Sequence, residues 1–227
     1  MLEERVGLVG REGPDPVEES RLTRAARSRQ DEGRHKEEPM HAQTLPLDPG
    51  SCQREENPYS DPMETTLCLI KPDGVRRGLV GEILQRFERL GLKITAMKLL
   101  TADAELAGRH YTYEDIAVRH GEAVRNALIA FITSGPVVAF AVQGVSAVEN
   151  VRKVCGATEP LKAAPGTIRG DFAHHTFAAT KPIGESVRNL IHASADPTDA
   201  ARELALWFSP TDYVNYRRND QNEHFLD

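Results

Sequence analysis

The strongest limit on what this chain can fold into is a break in its pattern at about Thr65. Before the break, aromatic and β-branched residues are sparse, and residues 21–38 (RLTRAARSRQDEGRHKEE) mix both charges densely with little to bury. HAQTLPLDPGSCQREENPYSDP follows, with Pro and Gly spaced as in a chain that does not fold alone. Such a stretch cannot offset the entropy lost on ordering. Residues 1–62 are therefore expected to be a disordered N-terminal extension, and residues 63–227 the folded domain. Residues 21–30 could form a transient helix through oppositely charged neighbours, but it has no apolar face to dock. A regulatory or partner-binding arm and a translation start at Met63 are the two other readings of this segment.

After the break, short apolar runs alternate with helical periodicity. TTLCLIK reads as a strand, and KPDGVRRG as a turn. Val80, Ile83, Leu84, Phe87 and Leu90 then recur at helical spacing until Gly91 stops them. LKITAMKLLT is a second strand. Asp103 is placed to cap a short helix reaching Tyr111. Residues 121–133 form a helix carrying Val124, Leu128, Ile129 and Ile132 on one side, and Ser134-Gly135-Pro136 breaks it. PVVAFAVQG is a buried strand, and residues 146–154 are a helix with Ser146 as its cap. Residues 166–170 read as a loop, 171–180 as extended, and 187–191 as short and irregular or helical. Asp196 and Pro197 open a last helix, TDAARELALWF, as N-cap and first helical position. The order β-α-β-α-α-β-α-β, then helix, predicts an α+β fold. The arrangement is a ferredoxin-like α/β sandwich, with helices packed on one face of an antiparallel sheet.

Composition narrows the function. The apolar share of 40% supports a packed core, and the mean hydropathy of -0.45 reflects polar sequence concentrated before the break. The net charge of -6 also lies mostly there, and no basic arm or face argues for a nucleic-acid footprint. Cys52, Cys68 and Cys155 are far apart and lack metal-ligand spacing, which argues against a disulfide framework or structural zinc. No long apolar run suits a membrane span or signal peptide. The expectation is a soluble cytoplasmic protein with no nucleic-acid or membrane partner and no protein-held metal.

Phosphate-binding motifs made from backbone are missing. GVRRGLVG does not supply a P-loop, and no G-x-G-x-x-G, G-x-S-x-G, HExxH or HRD sequence occurs. A chain that handles phosphate without them must use side-chain cations and a nucleophile. Lys71 ends the first strand beside the rigid Pro72-Asp73-Gly74 turn, which aims one charge into a cleft. Arg152 lies on a helix, and Arg169 sits in Pro165-Gly-Thr-Ile-Arg-Gly170 with glycine on each side of Thr-Ile-Arg. Guanidinium forks match phosphate oxygens. His192 follows an apolar pair; on residue type alone His110, His120, His174 and His175 have no better claim.

Lys71-Pro-Asp-Gly-Val75, Arg77-Gly-Leu-Val-Gly-Glu-Ile83, Ser134-Gly-Pro-Val-Val138, Pro165-Gly-Thr-Ile-Arg-Gly-Asp171, Arg188-Asn-Leu-Ile-His192 and Leu206-Trp-Phe208 closely resemble nucleoside diphosphate kinases. They occur in the family's order across residues 64–208, with Arg152, Thr158 and Arg169 at the family's mutual spacing. The resemblance implies ping-pong transfer of a γ-phosphoryl group from a nucleoside triphosphate, typically ATP, to a nucleoside diphosphate through His192. A neutral imidazole has a lone pair free for this step, and the loose transition state rewards alignment and placed charge. It further implies that Lys71 and Arg169 contact the transferring group, Arg152 and Thr158 the outer phosphate of the diphosphate, and Asn189 the ribose. Tyr111 and Glu203 would orient His192, with Ser194 as the small polar residue beside it. Mg²⁺ would ride on the phosphates, base selectivity would be low, and the chain would be a homo-oligomer.

Three departures from the family pattern stand out. The aromatic pair expected soon after Tyr111 is replaced by TYEDIAVRHGEAVRNAL, leaving Tyr113, Val124 and Leu128 as candidates to meet the base. Residues 172–187 (FAHHTFAATKPIGESV) are longer than usual and are expected to form a surface hairpin. The acid after His192-Ala-Ser-Ala stands one place late, so Asp196 is assigned to capping. The alternative function is a catalytically weak nucleotide-binding or scaffolding protein of the same fold.

Overall fold

The computed structural model describes residues 63–224; the extension expected over residues 1–62 lies outside them. The chain runs through β1 (Met63–Ile70), α1 (Pro72–Arg76), α2 (Val80–Arg89) and β2 (Lys93–Leu100). Next come α3 (Ala104–His110), a π-turn at Tyr113–Ala117, α4 (Val118–His120), α5 (Glu122–Ile132) and β3 (Val137–Val145). Then follow α6 (Ala147–Cys155), α7 (Ile168–Phe172), α8 (Phe177–Thr180), β4 (Ile191–Ala193), α9 (Pro197–Trp207) and α10 (Gln221–His224). The sheet order is β2-β3-β1-β4 with every neighbouring pair antiparallel, which is the ferredoxin-like sandwich.

Helices cover both faces of the sheet rather than one. Cys68, Ile70, Phe140 and Val142 face Ile83 and Phe87 of α2 and Val151 and Cys155 of α6. Leu67, Leu69, Ala139 and Ala141 face the other way, onto Ala107, Tyr111, Ile132 and Trp207. Strands buried on both sides must be apolar at every position, not at alternate ones. Leu67–Ile70 and residues 137–142 have that property in full. Between the layers, the Phe87 and Phe140 rings meet at 5.7 Å and 55°, an aromatic contact adding about 0.5–1.5 kcal/mol beyond its burial.

Several local expectations are met. Asp103 and Asp196 cap α3 and α9 by accepting from Leu106 N and Asp199 N at 2.7 and 2.9 Å, and Pro197 takes the first turn of α9. Ser146 differs: it adopts φ 46 and its side chain does not cap α6. The Glu64 carboxylate accepts from Val148 N instead, at 3.0 Å. Residues 72–76 form a short helix started by Pro72, not an open turn.

The largest differences fall in the lengthened segment. Residues 171–180 supply no strand; they complete α7 and form α8, whose N-cap Thr176 accepts from Ala179 N at 3.1 Å. The expected surface hairpin is thus a pair of helical turns. The fourth strand comes from Ile191–Ala193, which pairs with Cys68, Leu69 and Ile70. Three residues are too few to show strand periodicity, so this edge was hidden in the sequence.

Candidate active site

His192 stands on β4, opposite Leu69 of β1. The preceding Leu190 is a fully buried non-glycine residue held at φ 70, a left-handed conformation that costs a bulky residue on the order of 1 kcal/mol. Three neighbours enforce it. Lys71 N donates to Leu190 O at 2.8 Å, and Leu190 N donates to Asp73 Oδ2 at 3.1 Å. A Cβ on Gly74 would come within 3.2 Å of the same carbonyl, so glycine lets α1 pack this closely. The rigid turn after β1 therefore shapes the approach to His192.

The imidazole is fixed from one side. His192 Nε2 lies 2.9 Å from Glu203 Oε2 on α9, and Ser194 Oγ donates to the same oxygen at 2.7 Å. Burial disfavours the Glu203 carboxylate, but the charge and hydrogen bond of His192, with His110 and Ser194, outweigh it and hold the carboxyl at about 2. An ionised carboxylate only accepts, so Nε2 carries the proton and the lone pair of the neutral ring sits on Nδ1.

His110, the last residue of α3, was not separable from the other histidines in the sequence. Here it is buried with its ring edge-to-face on His192, at 4.5 Å and 82°. The Trp207 indole N–H donates to His110 Nδ1 at 3.3 Å, which places the His110 proton on Nε2. Burial first, then the neighbouring His192, push its basicity well below the ordinary histidine value, so it stays neutral. Tyr111 packs on His110 at 4.6 Å and so meets His192 through that ring. Burial and the Glu203 charge keep the Tyr111 hydroxyl protonated.

The cations gather nearby. Lys71 Nζ donates to Asn189 Oδ1 at 2.8 Å, and Asn189 Nδ2 donates to the Thr158 carbonyl at 2.8 Å. Burial, then repulsion from Arg169, lower Lys71 to about 8, with Asp73 opposing. Arg152, exposed on α6, reaches toward the Ser194 carbonyl at 3.5 Å.

Arg169 is in the first turn of α7, not in a loop, because Thr167 caps that turn through Gly170 N at 3.1 Å. Both flanking glycines are needed: Gly166 has φ 88, and a Cβ on Gly170 would meet the Ala164 carbonyl at 2.1 Å. The buried guanidinium donates to the carbonyls of Asn189, Gly156 and Ile191 at 3.2, 2.7 and 2.7 Å. Arg169 thus braces the chain on both sides of Leu190, and two of its five N–H groups remain for a phosphate. Asp196 points its carboxylate into the α9 cap, as expected. Tyr113 is 55% exposed, while Val124 and Leu128 are partly buried on α5.

A ferredoxin-like sandwich that sets a carboxylate-bonded histidine among lysine and arginine side chains belongs to the class of phosphate-handling enzymes without a P-loop. The sequence model of the family described as nucleoside diphosphate kinase matches residues 64–213. A nucleoside diphosphate kinase of Borreliella burgdorferi is 54% identical over 163 residues, covering 72% of this chain and 98% of the relative. One of Archaeoglobus fulgidus is 47% identical, covering 70% and 96%. The solved structure of the Borrelia burgdorferi enzyme as a transition state mimic, with bound vanadate and ADP, superposes with a TM-score of 0.70 at 54% identity. It covers 71% of this chain and 96% of that one. A Halobacterium salinarum nucleoside diphosphate kinase in complex with CDP gives 0.61 at 39% identity, covering 70% and 97%. This chain belongs to the nucleoside diphosphate kinase family.

Proposed function

We infer that the chain is a nucleotide phosphotransferase that moves the γ-phosphoryl group of a nucleoside triphosphate, typically ATP, to a nucleoside diphosphate through Nδ1 of His192. The observation that carries this reading is the 2.9 Å bond from His192 Nε2 to an ionised, buried Glu203. The Nδ1 lone pair attacks the γ-phosphorus as the bond to the β–γ bridging oxygen breaks, and that electron pair leaves on the diphosphate. An acceptor diphosphate oxygen then attacks phosphorus, and the P–N electrons return to Nδ1. No proton need move: it stays on Nε2, which donates to the Glu203 carboxylate, and that charge stabilises the positive ring of the intermediate.

Lys71 and the two unspent donors of Arg169 serve the transferring group, and Arg152 and Thr158 the outer phosphate. Asn189 serves the ribose. Lys71 uses one of its three donors on Asn189, leaving two for phosphate oxygens. Glu203 orients His192 directly, with Tyr111 and His110 packed behind the ring. Initial rates with both nucleotides varied test the reading: parallel double-reciprocal lines support it, and lines that intersect contradict it.

Mg²⁺ is the metal that would neutralise phosphate charge in this reaction. Among the described residues, the one His/Cys/Asp/Glu group able to gather about a metal is His110, His192 and Glu203. Two imidazoles and one carboxylate do not suit an oxygen-seeking ion. We therefore propose that Mg²⁺ rides on the nucleotide phosphates, since the group found among the described residues does not suit it. A homo-oligomer in the cytoplasm is the setting we propose. Among the described residues, no helix is long and apolar enough to cross a membrane.

Lys71 sets a pH limit. It is charged below about 8 in the free enzyme and neutral above it, so phosphate recognition weakens as pH rises through that value. The kcat/KM profile should fall on its alkaline side with an apparent pKa near 8; a flat profile to pH 10 would contradict the assignment. We also propose that residues 1–62 take no part in turnover, and that deleting them changes kcat by less than about twofold. A large fall in kcat would make the extension part of the site.

A further inference from the structure

A cavity of about 380 Å³ is lined by Asp73, Arg76, Arg77, His174, His175 and Arg188, with Ala173 as its apolar member. None of the residues assigned to phosphoryl transfer lines it. Its walls come from three separate stretches: α1 with the residue after it, the lengthened segment, and the residue before Asn189.

The wall chemistry is one-sided. Three guanidinium groups and two imidazoles face a single carboxylate. Little of that donor capacity is spent elsewhere. Arg77 gives one bond to the Phe172 carbonyl at 2.6 Å, and Arg76 meets the Ser134 carbonyl at 3.3 Å. Arg188 has only a 3.4 Å contact with Glu185, both side chains being half exposed. On these walls, Asp73 Oδ1 and His175 Nδ1 are buried and have no hydrogen-bond partner among the described residues. Asp73 is 6% exposed, and its other oxygen is committed to Leu190 N at 3.1 Å. A buried carboxylate oxygen left unmatched costs free energy unless something donates to it.

We propose that this cavity binds inorganic phosphate in its protonated form. The arginines present forks to the charged oxygens, and the O–H of hydrogen phosphate donates to Asp73 Oδ1. That acceptor makes the site selective. Sulfate has the same shape and charge but no O–H near neutral pH, so it sets an oxyanion against the carboxylate. A phosphate monoester, whose second pKa is about 6, is also largely without an O–H at neutral pH.

The test is titration of inorganic phosphate into the full chain already saturated with ADP and Mg²⁺, so that the nucleotide site is filled, followed by ³¹P line broadening at constant ionic strength. Saturable binding is expected. The Arg76→Ser/Arg188→Ser pair should weaken it at least about tenfold, since each fork lost removes charge-assisted bonds. Sulfate and AMP should each bind at least about tenfold more weakly than phosphate. His174→Ala, a change at an exposed position, gives an independent loss should the double variant fail to fold. No saturable binding in the ADP-filled chain, affinity unchanged in these variants, or sulfate bound as well as phosphate would each overturn the proposal.

Discussion

Replacing His192 with alanine is expected to lower phosphoryl transfer by at least about 10⁴-fold while the fold survives, because the change removes the nucleophile itself. The structural cost is small by comparison. The His192 side chain is only partly buried, and its loss deletes one hydrogen bond to Glu203, a change of about 1 kcal/mol. Glu203 keeps Ser194 Oγ as a donor, so the carboxylate is not stranded. The check is turnover beside a thermal melt. A variant with near-native melting and no turnover fits a covalent route; one that keeps steady-state activity sinks it.

Arg169→Ala should be the most destabilising change at the site. It strips the donor from three backbone carbonyls at once, those of Gly156, Asn189 and Ile191. An unmatched buried acceptor costs about 1–3 kcal/mol, so a loss of at least roughly 3 kcal/mol is expected. For a domain of this size that is a fall in Tm on the order of 6–12 °C. Lysine should not rescue it, because one ammonium cannot span three carbonyls in the plane of a guanidinium. Leu190, held at φ 70 between two of those carbonyls, is then free to relax, and His192 moves with it. Activity and stability should therefore fall together in both variants. A variant that melts like the parent while losing activity would place Arg169 on the phosphate alone.

This dual duty explains why the sequence was only partly readable. Glycines on both sides of Thr-Ile-Arg pointed to Arg169, but they could not show that its guanidinium first closes a bond network around β4. The helices α2, α5 and α9 were legible because their apolar residues repeat and Asp196, Gly91 and Ser134-Gly-Pro mark their limits. PVVAFAVQG reads as a buried strand and TTLCLIK as a strand; that helices cover both faces of the sheet and not one shows only in the packing. In residues 171–180 the cap that starts α8, Thr176 accepting from Ala179 N, is one threonine among small and polar neighbours and does not stand out in the sequence. His110 stayed anonymous because its importance lies in contacts with Trp207 and His192, remote in sequence. Asp73 and Leu190 were hidden for the same reason: a left-handed leucine is invisible until the groups that enforce it are seen around it.

Turnover by this route requires a phosphoryl group carried on Nδ1 of His192. The most direct test is to incubate the full chain with γ-labelled ATP and Mg²⁺, locate the label, and chase it with an added diphosphate. The expected result is an alkali-stable, acid-labile adduct on Nδ1 of His192 that passes quantitatively to the diphosphate. Absence of label while nucleotide still binds, or label on any other residue, would contradict it.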